Sequence, residues 1–243
     1  MSTPYFNTYL YTTVPLYPSQ MDNDIYKHLK DNLLVKLQGK CYKSYGHISK
    51  IYKIEERSGG ALIPEDSSAS ATYKVKFSCK LCRPLRGSVI VCEVVIINES
   101  AIYLRNGPIN VIIFEGMGQI NQEKFTFDEK RNVLLAKIGG GKGVPVVDGT
   151  LVEIRVLGTR IESGSNKIVV YGTMENLASK EASEETIRQR ENDSVGFVDY
   201  KTYIKQEQEI LEDVAESVES SDESADDSEE SEESESSSES DSE

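Results

Sequence analysis

The chain has 243 residues, 27 Lys+Arg and 41 Asp+Glu, a formal net charge of −14. The charge is segregated. Lys205 is the last basic residue, and residues 206–243 hold 18 of the acidic groups, which leaves the first 205 residues at +4. An acidic total therefore does not exclude a nucleic-acid partner for the body of the chain. No run of ~18 apolar residues occurs, so no membrane span is expected. Four irregularly spaced cysteines give no disulfide framework. The uncharged first 21 residues lack the basic flank and apolar run of a secretory signal, so a soluble, reduced, intracellular protein is expected.

In chain order, Tyr9 to Leu16 is aromatic and β-branched and runs into Pro18, which reads as a strand and a turn. Asp22 or Asn23 can cap a following helix. Its apolar stripe is Ile25, Leu29, Leu33 and Leu37, and Gly39 stands where a left-handed residue would end it. Residues 41–54 read as β structure up to Gly59-Gly60, and 61–68 as a loop or bulged edge, since Pro64 cannot donate to a ladder. Tyr73, Val75, Phe77, Cys79 and Leu81 then alternate with Lys74, Lys76, Ser78 and Lys80. That period of two predicts a strand with one buried face and one basic, solvated face.

Past Pro84 the chain breaks into short β segments at 87–97, 101–105, 109–114, 133–138, 150–158 and 167–173, separated by turn signals, which suggests a small barrel. Residues 180–192 and 200–218 read as helical. Phe197, Tyr200, Tyr203, Ile204, Ile210 and Leu211 give this extension apolar anchors, so it should pack on something rather than serve as an inert linker. Residues 220–243 contain only Ser, Asp, Glu and Ala225 and should be disordered. Ser220, Ser221, Ser228 and Ser231 precede acids, as acidophilic kinases require. The tail could also bind basic partners or keep non-specific nucleic acid off the barrel.

Several motifs invite chemistry. Cys79-Lys-Leu-Cys82 has the spacing of half a zinc site, but Cys41, Cys92, His28 and His47 offer no second close pair. An odd offset also sends Cys79 and Cys82 to opposite faces of a strand, so buried thiols are favoured and no metal is expected. Gly139-Gly-Gly-Lys142-Gly143 lacks the order of a phosphate-binding loop and reads as a barrel loop. Two histidines and no hydrolase motif leave catalysis without candidates, and no cofactor is implied.

Pro15, a helix, Gly39-Lys-Cys41, a strand, Gly60-Ala-Leu-Ile-Pro64-x-Asp66, then Lys80-Leu-Cys-Arg-Pro84-x-x-Gly87-x-Val89 follow one order and spacing. That order resembles the family of the seventh-largest subunit of DNA-directed RNA polymerase II, with its archaeal stalk counterpart and the polymerase I and III paralogues. The resemblance runs from about Val14 to Met174. It implies an α+β chain: a truncated RNP-like α/β domain (1–83) with a polymerase-docking tip, then an OB-type antiparallel β-barrel of RNA-binding type (84–175). A partly helical extension (176–216) and a disordered acidic tail (217–243) complete the organisation.

By the same resemblance, Gly60, Pro64, Asp66 and Ser68 match the docking tip. The family usually has Gly where this chain has Ser67, which puts the turn geometry there in question. The implied role is a non-catalytic stalk subunit that docks near the clamp formed by the largest subunits, beside a helical stalk partner, and contacts nascent single-stranded RNA in transcription and its initiation. The implied location is the nucleus for a cellular polymerase, and a cytoplasmic virus factory or virion for a large-DNA-virus version. On the barrel, Tyr103 and Arg105 alternate onto one strand face. Lys130, Arg131, Lys137, Lys142, Arg155, Arg160 and Lys167 add charge, so weak, salt-sensitive, sequence-tolerant RNA binding is expected. The competing readings are a free-standing OB-fold RNA-binding factor and an acidic-tailed chaperone of basic proteins.

Overall fold

A computed structural model describes residues 3–98, 100–114, 120–128, 133–137, 143–192, 205 and 208–212. Strand β1 (Tyr5–Leu16) leads through a short turn to helix α1 (Ile25–Leu37), then β2 (Cys41–Tyr42), β3 (Gly46–Arg57), β4 (Ala61–Leu62) and β5 (Ala71–Cys82). These strands form one antiparallel sheet in the order β1-β5-β3-β2, with β4 extending the row beside the start of β5. The four-residue stripe of α1 works as its spacing predicts: Leu29, Leu33 and Leu37 are buried against Val14, Phe77, Leu81 and Ile48. At ~1.5–3 kcal/mol for each fully buried aliphatic side chain, this stripe is what holds the helix on the sheet. The Asn32 amide fixes the packing angle by donating to the Pro15 carbonyl (3.0 Å) and to Gln20 Oε1 (2.9 Å). Gly39, at φ +75°, turns the chain out of the helix.

The barrel is built from β6 (Val89–Ile97), β7 (Ala101–Asn106), β8 (Ile109–Phe114), β12 (Leu151–Arg160) and β13 (Ile168–Leu177). They close in the order β6-β7-β8-β13-β12. This is the OB connectivity: a three-strand meander, then a fifth strand parallel to the third, and a fourth returning to the first. The barrel is thus antiparallel except for β8 and β13, whose parallel pairing completes the ring. Between β8 and β12 lies a separate three-stranded sheet of β9 (Phe125–Asp128), β10 (Val133–Ala136) and β11 (Val144–Val146), two strands of which periodicity does not reveal.

The two cores meet at a seam. Tyr5, Cys82, His47 and Cys41 stand in register across β1, β5, β3 and β2. The first, second and fourth of them pack into the barrel's cluster. The Cys41 amide donates to the Ser165 carbonyl (2.7 Å), and the Gly164 amide returns a bond to the Cys41 carbonyl (2.8 Å). Cys79 belongs to the sheet's core and Cys82 to the barrel's, as their odd offset requires. Burial pushes the Cys79 thiol up to about 12 and Cys41 to about 11. Thiols held protonated in this way are poor nucleophiles and poor metal ligands.

His47 sits in this seam at 8% exposure, and its Nδ1 has no hydrogen-bond partner. Burial lowers its pKa below the ordinary 6.5, outweighing the backbone hydrogen bonds that raise it. The sign follows from linkage: below about pH 6.5 the unfolded chain takes up a proton that the folded chain refuses, so stability falls with falling pH. Acidic side chains are still ionised between pH 5 and 6.5, so that window separates histidine effects from those of the carboxylates. Denaturation midpoints should drop across it, and His47→Gln should flatten the slope. An unchanged slope would remove His47 from the account.

The solvated face predicted for β5 needs correction. Lys74 is exposed, but Ser78 and Lys80 are buried, at 0% and 3%. For Lys80 the reason lies 110 residues away. Helix α2 (Lys180–Glu191) is capped by Ser179, whose hydroxyl accepts from the Ala182 amide (3.2 Å), and ends over this part of the sheet. Lys80 Nζ donates to the carbonyls of Arg190 (2.9 Å) and Asn192 (2.8 Å). An unpaired buried ammonium would cost several kcal/mol, whereas carbonyls at a helix C-terminus are the partners such a charge needs. Arg190 Nε also donates to Asn106 Oδ1 (2.8 Å), and the fully buried Asn106 donates to the Val91 carbonyl (2.6 Å). Farther on, Ile210 packs against Gly87 and the sheet's core. The extension therefore binds both halves of the molecule. Leu211 lies beside Gly87 as well, whereas Phe197, Tyr200, Tyr203, Ile204 and the acidic tail lie outside the described residues.

Candidate functional site

The first candidate is the loop between β4 and β5. Gly60 lets the chain cross the Tyr73 ring, because a Cβ there would fall 2.7 Å from Tyr73 Cζ. Leu62 and Ile63 then stand 68% and 51% exposed, with Pro64 exposed beside them. Adjacent large apolar side chains held in water at a loop tip are the mark of a contact surface. Asp66 organises the return. Its carboxylate accepts from the Ser68 amide (2.9 Å) and the Ser70 hydroxyl (2.8 Å), and its carbonyl accepts from the Ala69 amide (3.1 Å). Hydrogen bonds from Ser68, side chain then backbone, and from Ser70 hold this carboxyl below its usual range. The left-handed residue of the turn is Ala69, at φ +51°; Ser67 has no positive φ. The departure from Gly at position 67 therefore costs nothing in backbone strain. Pro64, Asp66 and Ser68 lie on this one loop, with Asp66 as its organiser, and Gly60 stands immediately before β4. The exposed Leu62 and Ile63 are additions that burial alone reveals.

The second candidate is the outer face of the barrel. Tyr103 is 41% exposed on β7, between Ile96 of β6 (49% exposed) and Ile112 of β8. Phe114 and Tyr171 stack at 6.4 Å between ring centroids and 19° between planes. The parallel pairing of β8 and β13 places Tyr171 beside Ile112, so one patch runs from Ile96 through Tyr103 and Ile112 to Tyr171 and Phe114. In OB folds the second and third strands form the oligonucleotide face, and β7 and β8 hold those places. Arg105 shares this face of β7 but stands in register with Glu93, so its charge is partly offset.

Arg155 lies elsewhere. It pairs with Glu175 across β12 and β13, and its guanidinium also reaches the Gly87 carbonyl (3.4 Å). Arg160 pairs with Glu162 at 2.6 Å. Lys130, Arg131 and Lys142 lie outside the described residues. Residues 84–205 carry 15 basic and 16 acidic groups, so this half of the molecule is nearly neutral. The face is suited to stacking planar rings more than to gathering phosphates.

Residues 12–67 match the family model described as the SHS2 domain found in N terminus of Rpb7p/Rpc25p/MJ0397. The chain is 27% identical over 177 residues to a protein of Acanthamoeba polyphaga mimivirus named as a DNA-directed RNA polymerase subunit, covering 73% of this chain and 85% of that one. It is 27% identical over 176 residues to DNA-directed RNA polymerase II subunit rpb7 of Schizosaccharomyces pombe, covering 70% and 95%. The Glycine max subunit RPB7 is 20% identical over 172 residues, covering 71% and 93%. The chain thus resembles the seventh subunit of RNA polymerase II of cellular organisms and a viral protein named as a DNA-directed RNA polymerase subunit.

Proposed function

We propose that this relative of the polymerase II seventh subunit is a non-catalytic stalk subunit of a multisubunit DNA-directed RNA polymerase. It docks by its β4–β5 tip on the core near the clamp and turns its barrel face to emerging RNA. The observation that carries this reading is the extent of the match: 95% of the S. pombe subunit is covered. A match of that span takes in both the sheet domain with its tip and the barrel. The exposed Leu62-Ile63-Pro64 crest supplies the apolar contact, and the Asp66 turn holds it in one shape. The extension lies over the seam and takes contacts that a separate helical stalk partner would otherwise make. The compartment follows the owner: the nucleus for a cellular polymerase, a cytoplasmic factory or virion for a viral one.

Affinity capture of the tagged chain from its native source should recover the two largest polymerase subunits. Asp66→Ala together with Pro64→Ala should cut that recovery at least tenfold while leaving thermal unfolding of the isolated chain within a few degrees. Full recovery by the double variant would place docking elsewhere, and recovery of no polymerase subunit would end the reading. RNA contact has its own test. Stacking one base is worth ~1–3 kcal/mol, so Tyr103→Ala should weaken binding of a single-stranded oligouridine roughly tenfold. Arg155→Ala should act on stability instead, since its charge is engaged by Glu175.

A further inference from the structure

The positive charge of the body does not sit on the barrel. Residues 1–83 carry 12 basic and 7 acidic groups, whereas residues 84–205 are one charge negative. Much of the excess gathers at a groove of about 660 Å³ on the sheet domain, lined by Lys36, Lys43, Arg57, Lys74 and Lys76. The acid in its lining, Glu56, is paired with Lys76 at 2.8 Å. Rings around the groove already carry cations of this chain: Lys43 over Tyr42, Arg57 over Tyr26 and Tyr73, and Lys76 over Tyr9. A ligand here meets charge first and few open rings, the reverse of the barrel face.

We propose that the groove is the docking surface for the chain's own acidic tail, residues 213–243. This segment of 31 residues holds 15 Asp+Glu and no Lys, Arg or aromatic residue, so it needs charge and not stacking. It starts close to the sheet domain, because Ile210 packs on that domain's core just before the tail begins. Thirty-one residues can reach at most ~100 Å from their point of attachment, so the groove is within range of the tail. Tethering presents the carboxylates at an effective concentration in the millimolar range, without a partner having to be supplied. The contact is made of exposed charges and so weakens as salt is added. Docking of the tail in this groove does not depend on membership of a polymerase.

The test uses the isolated full-length chain and a carbodiimide, which joins lysine amines to carboxylates only in direct contact. At ~0.05 M salt, tail carboxylates should couple to Lys36, Lys43, Lys74 or Lys76. The yield should fall more than fivefold at ~0.5 M salt, where screening shortens the reach of each charge. The double variant Lys74→Glu, Lys76→Glu should lose these products. The milder pair Lys36→Gln, Lys43→Gln should reduce them and serves if the first variant does not fold. Coupling confined to barrel lysines such as Lys124, Lys137 or Lys167, or no tail coupling at all, overturns the proposal. Oligouridine binding is measured in parallel. Affinity within twofold of the parent in the Lys74→Glu, Lys76→Glu variant leaves the groove to the tail. A tenfold loss would make the groove a nucleic-acid site and overturn the assignment.

Discussion

Gly46→Ala should destabilise the chain by roughly 3 kcal/mol or more, as read by denaturant midpoint at unchanged slope. Two independent costs meet at this position. Gly46 has φ +142°, a conformation that side chains rarely adopt. A Cβ there would also lie 2.5 Å from the Cys82 carbonyl oxygen, which is backbone and cannot swing aside. The strain has a structural reason. The tight return from β2 into β3 passes under the last residue of β5, where sheet and barrel join, and Tyr42 pairs with Gly46 there. The effect should therefore extend beyond local fraying, since the neighbouring Cys41 makes the backbone bonds to Ser165 and Gly164. A loss below 1 kcal/mol would mean that this turn relaxes freely.

Lys80→Met comes next in size, with an expected loss of about 2–4 kcal/mol, because hydrogen bonds to a charged group are worth ~1.5–3 kcal/mol and Lys80 makes two of them to carbonyls. Methionine matches the stem and removes the ammonium, including its place over the Tyr5 ring at 5.7 Å from the centroid, so the change isolates the charge. The distinguishing readout is where the molecule loosens. Protease cleavage within 180–192 should rise sharply, while the barrel itself stays protected. If instead the whole chain melts as one unit with no local cleavage, the lysine supports the sheet and not the extension.

These two positions mark the limit of what the sequence makes legible. Helix α1 and the alternation of β5 can be read from spacing because their packing partners impose a simple period on one buried face. Barrel strands β7, β8, β12 and β13 are readable for the same reason, each showing alternating burial over most of its length, and β6 by its apolar run. Strand β11 carries Pro145, which has no amide proton to give a ladder; it is admitted because β11 is an edge of its small sheet. The short β9 offers too few residues for a period to show. Lys80 looks solvated because its sequence neighbours Lys74 and Lys76 are on the same strand face, and nothing local announces a helix end arriving from residue 190.

The candidate sites divide in the same way. The tip is continuous in sequence, so Gly60, Pro64, Asp66 and Ser68 can be found without coordinates, although its exposed apolar crest cannot. The barrel patch is assembled from β6, β7, β8 and β13, and the stacking of Phe114 on Tyr171 follows from a parallel pairing that no local pattern encodes. Arg155 illustrates the opposite error. A basic residue on a strand is open for RNA only if no partner claims it, and Glu175 stands in the next strand.

The latch between Lys80 and the end of α2 also sets an order of events at the ribosome. Every strand of the first sheet is encoded before residue 83, so that sheet can form while the barrel is still being made. Its lysine, however, meets the Asn192 carbonyl only after 112 more residues have been added. At ~5–20 residues per second, the nascent domain spends on the order of 6–20 seconds with that surface uncovered. A buried ammonium is tolerable in the finished molecule. During synthesis the same charge keeps an unfinished sheet face wet and unattractive to other nascent chains, in the way inward-pointing lysines protect exposed β surfaces.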